Sequence, residues 1–414
     1  MSQIQDILNK MVSIIINQRS KTFNSDDSIS QFTYTGNIKS ETDTEKLKTN
    51  PSIVIYGDDI KTFNDLYYEL YKQLKVDKKQ VSFDQFQKDT RDLFFFNPNE
   101  ADLKKIVNEK YVKSEDFYYI APIYGIKCKE NIIDFENIAF VSLDYIGTYA
   151  NEITNVSCKD LLLSHFNNYD KNEHMLYFVK KYKCYDANYT KEKFESDLDE
   201  MINVLRFLCI YKTERSYIDR VKNNSNKIFY TAISETQASS NFSIINMNDI
   251  PIVMDKTWFD YKYAKKIMEI LCKNNKNDLE QRIIRSLIWA GRSIEEHYLD
   301  LSCAEIAFAF ESIFKSDKTR LITQSIQDQI AESTALILNN NYDDIKRQIK
   351  ELKEFYGLRS AIAHGGKQEG NIGIYNKNLT IFREVIIKLL ENDTYLECDS
   401  LEDLKVILDK KKYS

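Results

Sequence analysis

Hydrophobic positions at helical spacing dominate the C-terminal part of the chain. From Asp255 on, apolar residues recur every three or four positions, as an amphipathic helix requires. Such segments cover 258–271, 279–294, 306–313, 322–338, 345–362, 379–390 and 401–408. None of the four prolines follows Pro251, so nothing in this stretch interrupts helices in the way that proline does. The pattern predicts six or seven helices packed as an all-α bundle over 251–414, with Asp255, Asp278 and the pair Ser400 and Asp403 as helix-starting residues.

The first 250 residues have a different pattern. Short runs rich in Phe, Tyr, Ile and Val predict strands at 52–56, 117–127, 131–145, 175–182, 227–233 and 242–247. A helix is predicted at 191–211, and the polar segment 20–50 is interpreted as a mobile loop or as a linker after an N-terminal helix. The fold class is therefore predicted as α+β: a mixed β-rich domain over 1–250, or two small ones, followed by the helical bundle.

Composition narrows the class of protein. The chain of 414 residues carries 57 Lys and Arg against 63 Asp and Glu, a net charge of −6. This excludes a globally basic nucleic-acid coat but leaves room for a local anion site. The seven cysteines are odd in number, widely spaced and without a C-x-x-C pair, which favours a reducing compartment. No apolar stretch reaches membrane length. We therefore expect a cytoplasmic protein that does not engage membranes.

The candidate chemistry lies in one glycine-rich segment. Five of the ten glycines fall between Gly357 and Gly373, and Arg359 and His364 form an R-x4-H pair there. Arg supplies a fixed charge and a planar donor fork for phosphate, and His exchanges protons near neutral pH. Together they suffice for attack of a ribose 2′-OH on the adjacent phosphate without a metal. We expect no metal and no cofactor, because no histidine pair has metal-site spacing and no phosphate-binding or dinucleotide loop is present.

A second R-x4-H match is formed by Arg292 and His297. Glu295 and Glu296 directly precede this histidine and would repel a phosphate. The spacing alone is a weak signal, so we interpret the second match as a solvated helix face.

The C-terminal half resembles the HEPN superfamily, specifically its Apea-like branch. The resemblance is carried by the apolar segment 307–314, which contains Glu311, by 352–356 leading into Arg359 and Ser360, and by 364–366 closing the motif. It implies a helical bundle that commonly dimerises, and a metal-independent ribonuclease in which Arg359 and His364 are catalytic and Ser360 is the supporting polar residue. The resemblance also implies that the protein acts in a toxin system or in an antiviral abortive-infection system. Gly366 stands where HEPN toxins silenced by nucleotide transfer carry Tyr, which argues against such silencing here.

Three further residues complete the candidate site. Glu311 lies on an otherwise apolar helix and either holds Arg359 in place or is partly exposed, because a buried carboxylate needs a partner. Tyr356 either stacks on an RNA base or packs in the core. Lys367 follows the motif directly and is the second candidate substrate-binding residue.

The leading hypothesis is an endoribonuclease that acts on RNA. Cleavage benefits from both a base and an acid, which one histidine cannot easily provide in one step, so we expect a homodimer with a shared site. The N-terminal region would sense a signal, or would restrain or position the C-terminal bundle. It would receive an unknown trigger or regulatory ligand. The alternative is a non-catalytic HEPN module that binds proteins or nucleotides.

Overall fold

A computed structural model provides the structure of the chain. It describes residues 2–18, 29–33, 52–76, 81–96, 98–111, 114–153, 175–185, 188–209, 218–220, 230–233, 238–241, 252–315, 325–363 and 371–413. The elements of the N-terminal part are α1 (Gln3–Gln18), β1 (Ile29–Thr33), β2 (Ser52–Tyr56), α2 (Asp58–Gln73), α3 (Phe83–Thr90), a 3₁₀ helix (Arg91–Phe96) and α4 (Glu100–Lys110). The central elements are β3 (Glu115–Tyr124), β4 (Ile126–Cys128), β5 (Ile132–Asp134), β6 (Ile138–Ser142), α5 (Ile146–Ile153), β7 (Met175–Cys184), α6 (Lys191–Cys209), β8 (Asp219–Arg220), β9 (Tyr230–Ile233), β10 (Ala238–Asn241) and β11 (Ile252–Met254).

The C-terminal part is helical throughout its described residues. Its elements are a 3₁₀ helix (Lys256–Phe259), α7 (Lys262–Cys272), α8 (Asp278–Glu295), α9 (Leu299–Phe314), α10 (Ile326–Leu338), α11 (Tyr342–Ala363), α12 (Ile372–Glu391), α13 (Asp393–Leu396) and α14 (Leu401–Tyr413). The predicted α+β class is confirmed, with strands in the N-terminal half and helices in the C-terminal half.

The chain packs as two compact units. The first comprises Met1–Tyr118, Tyr182–Lys193 and Ile233–Gln237, and the second comprises the remaining residues. This division does not coincide with the predicted boundary at residue 250. Most of the central strands and most of α6 belong with the bundle.

The first unit is built around aromatic residues of α2 and α3. Phe63, Tyr67 and Phe86 are buried, and the Tyr67 hydroxyl lies 2.6 Å from the Thr90 hydroxyl. β1 and β2 pair antiparallel, with Ile29 opposite Tyr56. The segment 20–50, interpreted as a loop or linker, therefore contains a strand.

An antiparallel sheet occupies the centre of the chain. The strand order is β10-β9-β3-β7-β6-β5, and β8 pairs with β3. The register between β6 and β7 places Phe140 opposite Phe178. Both side chains are buried, and their ring centroids lie 6.2 Å apart. The strand predicted at 52–56 has the predicted bounds, and the one predicted at 175–182 extends to 184. The strand predicted at 117–127 corresponds to β3 and β4, the one at 131–145 to β5 and β6, and the one at 227–233 to β9. The strand predicted at 242–247 lies outside the described residues.

The bundle follows the predicted helical periodicity. Its fully buried side chains include Leu287, Ala290, Ile306, Ala307, Ala309, Phe310, Ile313, Phe314, Leu352, Phe382, Val385 and Ile386. The capping pair Ser400 and Asp403 is confirmed, since each side chain accepts a backbone N–H of the other. The cap predicted at Asp278 is instead Asn277, which forms a capping box with Glu280. Asp278 is the first helical residue, one position too late to accept from the orphan amides.

Helix α6 packs closely on the bundle. Gly291 of α8 lies so near the Asn203 backbone that an added Cβ would stand 2.1 Å from its carbonyl oxygen. Arg206 is buried; it donates to the Ile218 carbonyl at 2.8 Å and pairs with Glu295. This contact explains why α6 groups with the C-terminal helices.

A helix that crosses a bilayer needs about 20 predominantly apolar residues. Within the described ranges, no helix combines the length and the apolar character that crossing a membrane requires.

Candidate functional site

Arg359 lies in the last two turns of α11 and reaches across to α9. Its guanidinium carbon is 5.1 Å from the centroid of the Phe308 ring, and its Nη2 is 3.2 Å from Glu311 Oε1. Phe308 and Glu311 are three residues apart, so α9 presents both on one face. The predicted contact between Glu311 and Arg359 is therefore present in the structure.

The surroundings of Arg359 leave part of its donor fork unused. The side chain is 27% exposed and that of Glu311 is 17% exposed, so the pair is partly shielded from water. Arg359 Nε is buried and has no hydrogen-bond partner among the described residues. An arginine fixed by one carboxylate and one ring, with donors left over, can still bind a phosphate oxygen.

Tyr356 is part of the interior of the bundle. It is 6% exposed, and its hydroxyl donates to the Ala307 carbonyl of α9 at 3.0 Å. Burial, reinforced by the nearby Glu311 charge, raises the pKa of Tyr356 well above its usual range. A ring enclosed in this way has no free face for a base. The structure thus gives Tyr356 the core role that was the alternative to RNA stacking, because the hydroxyl joins α11 to α9.

The remaining predicted site residues lie at or beyond the end of α11. Ser360 is exposed and follows Arg359 on the helix. His364 and Lys367 lie outside the described residues, so the predicted pairing of Arg359 with His364 stays a prediction.

The second R-x4-H match lies close to the first. The Arg292 guanidinium carbon is 4.6 Å from the centroid of the Trp289 ring, and its Nε is 3.5 Å from Glu305 Oε1. Arg292 is 53% exposed, and His297 is exposed beyond the end of α8, as a solvated helix face predicts. The Trp289 and Phe308 ring centroids lie 5.1 Å apart. Both arginines therefore flank one aromatic pair.

An open groove adjoins this aromatic pair. It has a volume of about 270 Å³ and is lined by Arg282, Arg285, Trp289, Phe308, Glu311, Ser312 and Lys315. The basic and aromatic lining residues are not among the site residues predicted from sequence. A signal was available on α8, since 282, 285, 289 and 292 recur at intervals of three and four and so share one face.

A resident metal centre has no counterpart in the part of the chain that the structure describes. No group of three or more His, Cys, Asp or Glu side chains comes together there in a way that could hold an ion.

Comparison with known proteins adds no relative. No protein-family model matches the chain, and no curated protein and no solved structure matches it either.

Proposed function

We propose that the protein is a metal-independent endoribonuclease of the HEPN type, with Arg359 and His364 as its catalytic residues. The observation that carries the proposal is the setting of Arg359: fixed by Glu311 and Phe308, partly shielded, and with Nε unpartnered among the described residues. A buried donor without a hydrogen-bond partner is uncommon in a folded protein, and among the described residues Arg91 and Arg383 also have a buried Nε without one.

The reaction divides between the two residues. The ribose 2′-oxygen attacks the adjacent phosphorus and loses its proton to a base, and the bond from phosphorus to the 5′-oxygen breaks. The departing 5′-oxygen takes up a proton, which leaves a 2′,3′-cyclic phosphate and a 5′-hydroxyl. Arg359 stabilises the charge that develops on the phosphate oxygens, and His364 carries protons.

The product and the response to chelation test this proposal. RNA incubated with the purified chain in EDTA should be cleaved as fast as without it, because Arg and His need no cation. The ends of the fragments can be read by phosphatase and kinase treatment. Loss of cleavage in EDTA, restored by a divalent cation, would replace this mechanism with a metal-dependent one.

In the proposed biological setting the enzyme acts in the cytoplasm as a toxin or as an effector of antiviral abortive infection. The N-terminal region then receives the trigger or regulatory ligand that controls cleavage. The support for this setting is the HEPN resemblance of the C-terminal half together with the close packing of α6 on α8 at Gly291, which connects the central region to the bundle.

The proposed working form is a homodimer that shares its site. One chain contributes one Arg and one His, and a two-fold axis beside the motif brings a second proton carrier to the phosphate. Light scattering should give the mass of a dimer. Heterodimers of wild-type and His364→Ala chains should have less than the activity of the wild-type homodimer. An active monomer, or undiminished activity in verified heterodimers, contradicts the shared site.

A further inference from the structure

We infer that the groove between α8 and α9 binds single-stranded RNA next to the scissile phosphate, with Arg285 and Lys315 as its phosphate contacts. This inference rests on the proposed function and names the substrate surface that leads to Arg359.

Two cations of the groove form no ion pair within the described residues, although one of them, Arg285, lies within electrostatic range of Asp278. Arg282 is committed to Asp278, at 2.9 Å, and to the Lys315 carbonyl, also at 2.9 Å. In contrast, the side chains of Arg285 and Lys315 are exposed and form no ion pair or hydrogen bond within the described residues. The carboxylate of Glu311, which also lines the groove, is paired with Arg359. Two positive charges without an ion-pair partner among the described residues therefore face one concavity in a chain whose net charge is −6.

The groove is continuous with the setting of Arg359. Phe308 and Glu311 line the groove, and the same two side chains contact the Arg359 guanidinium at 5.1 Å and 3.2 Å. A polyanion lying in the groove therefore meets Arg359 at the groove's border. This order of contacts, two positioning cations and then the catalytic arginine, suits consecutive phosphates of one strand.

The groove also offers an apolar surface beside its charges. Trp289 of α8 and Phe308 of α9 are half-buried and form one wall of the groove. Ser312, which also lines the groove, lies on α9 with Phe308. A flexible single strand can rest a base or ribose on such a wall while its phosphates contact the cations. A double helix keeps its bases stacked inside and does not match a concavity of about 270 Å³. The combination of cations and rings favours single-stranded RNA over a purely acidic peptide, which would leave the aromatic wall unused.

The test measures binding separately from cleavage. A fluorescein-labelled 2′-O-methyl RNA oligonucleotide lacks the attacking hydroxyl and can be titrated with the full chain by anisotropy. Arg285→Ala combined with Lys315→Ala should weaken binding about tenfold or more and lower the slope of log K against log salt by about 1.4, since each lost phosphate contact contributes about 0.7. Lys410→Ala, at an exposed lysine of α14 that does not line the groove, should bind like wild type.

Each outcome bears on the inference. Wild-type affinity and salt slope in the double variant overturn it, as does failure of the wild-type chain to bind the oligonucleotide. Tight binding of a polyglutamate peptide with no binding of RNA also overturns it and assigns the groove to an acidic protein segment. If the groove variants lose RNA binding but the wild-type chain cleaves no RNA, the groove stands and the ribonuclease proposal fails. If the wild-type chain cleaves RNA and the double variant binds and cleaves equally well, the ribonuclease proposal stands and the groove inference fails.

Discussion

Arg359 and Arg292 have closely similar surroundings within one surface. Each guanidinium lies over an aromatic ring, Phe308 for Arg359 and Trp289 for Arg292. Each also pairs with a glutamate of α9, Glu311 in the first case and Glu305 in the second. Each begins an R-x4-H motif. Residue types and contacts therefore do not separate the two arginines.

What separates them is the origin of the aromatic contact, because both glutamates reach their arginine from α9. Trp289 and Arg292 are three residues apart on α8, so their stacking follows from helical spacing alone. Phe308 and Glu311 reach Arg359 from another helix, and only the packed bundle brings them together. Arg359 is also half as exposed as Arg292, at 27% against 53%. Water screens a charge at the surface more than one that is partly buried, so Arg359 is better suited than Arg292 to the electrostatic role that we propose.

The largest expected effect is the loss of RNA cleavage when the first of the two R-x4-H motifs is changed. Arg359→Ala and His364→Ala should each lower RNA cleavage about a hundredfold or more, because one removes charge stabilisation and the other proton transfer. Arg292→Ala and His297→Ala make the same changes in the second motif and should leave most of the cleavage. Initial rates on one RNA, with circular dichroism of each variant to verify folding, give the measurement.

The opposite pattern of losses would move the active site to Arg292. Absence of cleavage by the wild-type chain would favour the alternative of a binding module without catalysis. Full activity in all four variants would place the catalytic residues outside both motifs. In a bacterial host, toxicity of the wild-type chain but not of His364→Ala would report the same distinction.

Much of the bundle could be predicted from sequence because its signal is local. Apolar residues at intervals of three and four, uninterrupted by proline, specify helices whatever they pack against. Helices α2 to α4 were not predicted. Their aromatic residues, among them Phe63 and Tyr67, have a propensity for strands, and only their burial in a shared core makes them helical.

The candidate site was predictable in part for the same reason. A buried carboxylate on an apolar helix needs a partner, which made contact with Arg359 one of two alternatives for Glu311. The structure shows that contact, and it also leaves Glu311 17% exposed, as the other alternative expected. The groove was not predicted, because Lys315 and Phe308 come from α9 and Arg285 from α8, and their meeting depends on how two helices pack. The burial of Tyr356 was one of two open alternatives, since spacing alone cannot decide whether a ring on α11 faces α9 or solvent.

A smaller effect is expected when the glutamate that pairs with each arginine is changed. Glu311→Gln keeps the size of the side chain but removes the charge that orients Arg359. We expect kcat to fall roughly tenfold, since a small misplacement of a catalytic group is costly. KM should stay the same or decrease, because the unpaired arginine attracts phosphate more strongly. Glu305→Gln is the matched control: it removes the partner of Arg292 and should leave both constants near those of wild type.

The direction of the two constants decides what Glu311 does. If Glu311 only stabilised the fold, Glu311→Gln would lower the melting temperature and the amount of active enzyme. The KM and the kcat per folded molecule would then both be unchanged. Loss of the partly shielded pair costs about 1 kcal/mol of folding stability on that reading and on ours, so stability alone does not discriminate. A reduced kcat per folded molecule is the result that assigns Glu311 to positioning Arg359. An equal reduction in Glu305→Gln would mean that both arginines serve one extended site, because each would then depend on its own carboxylate for the same reaction.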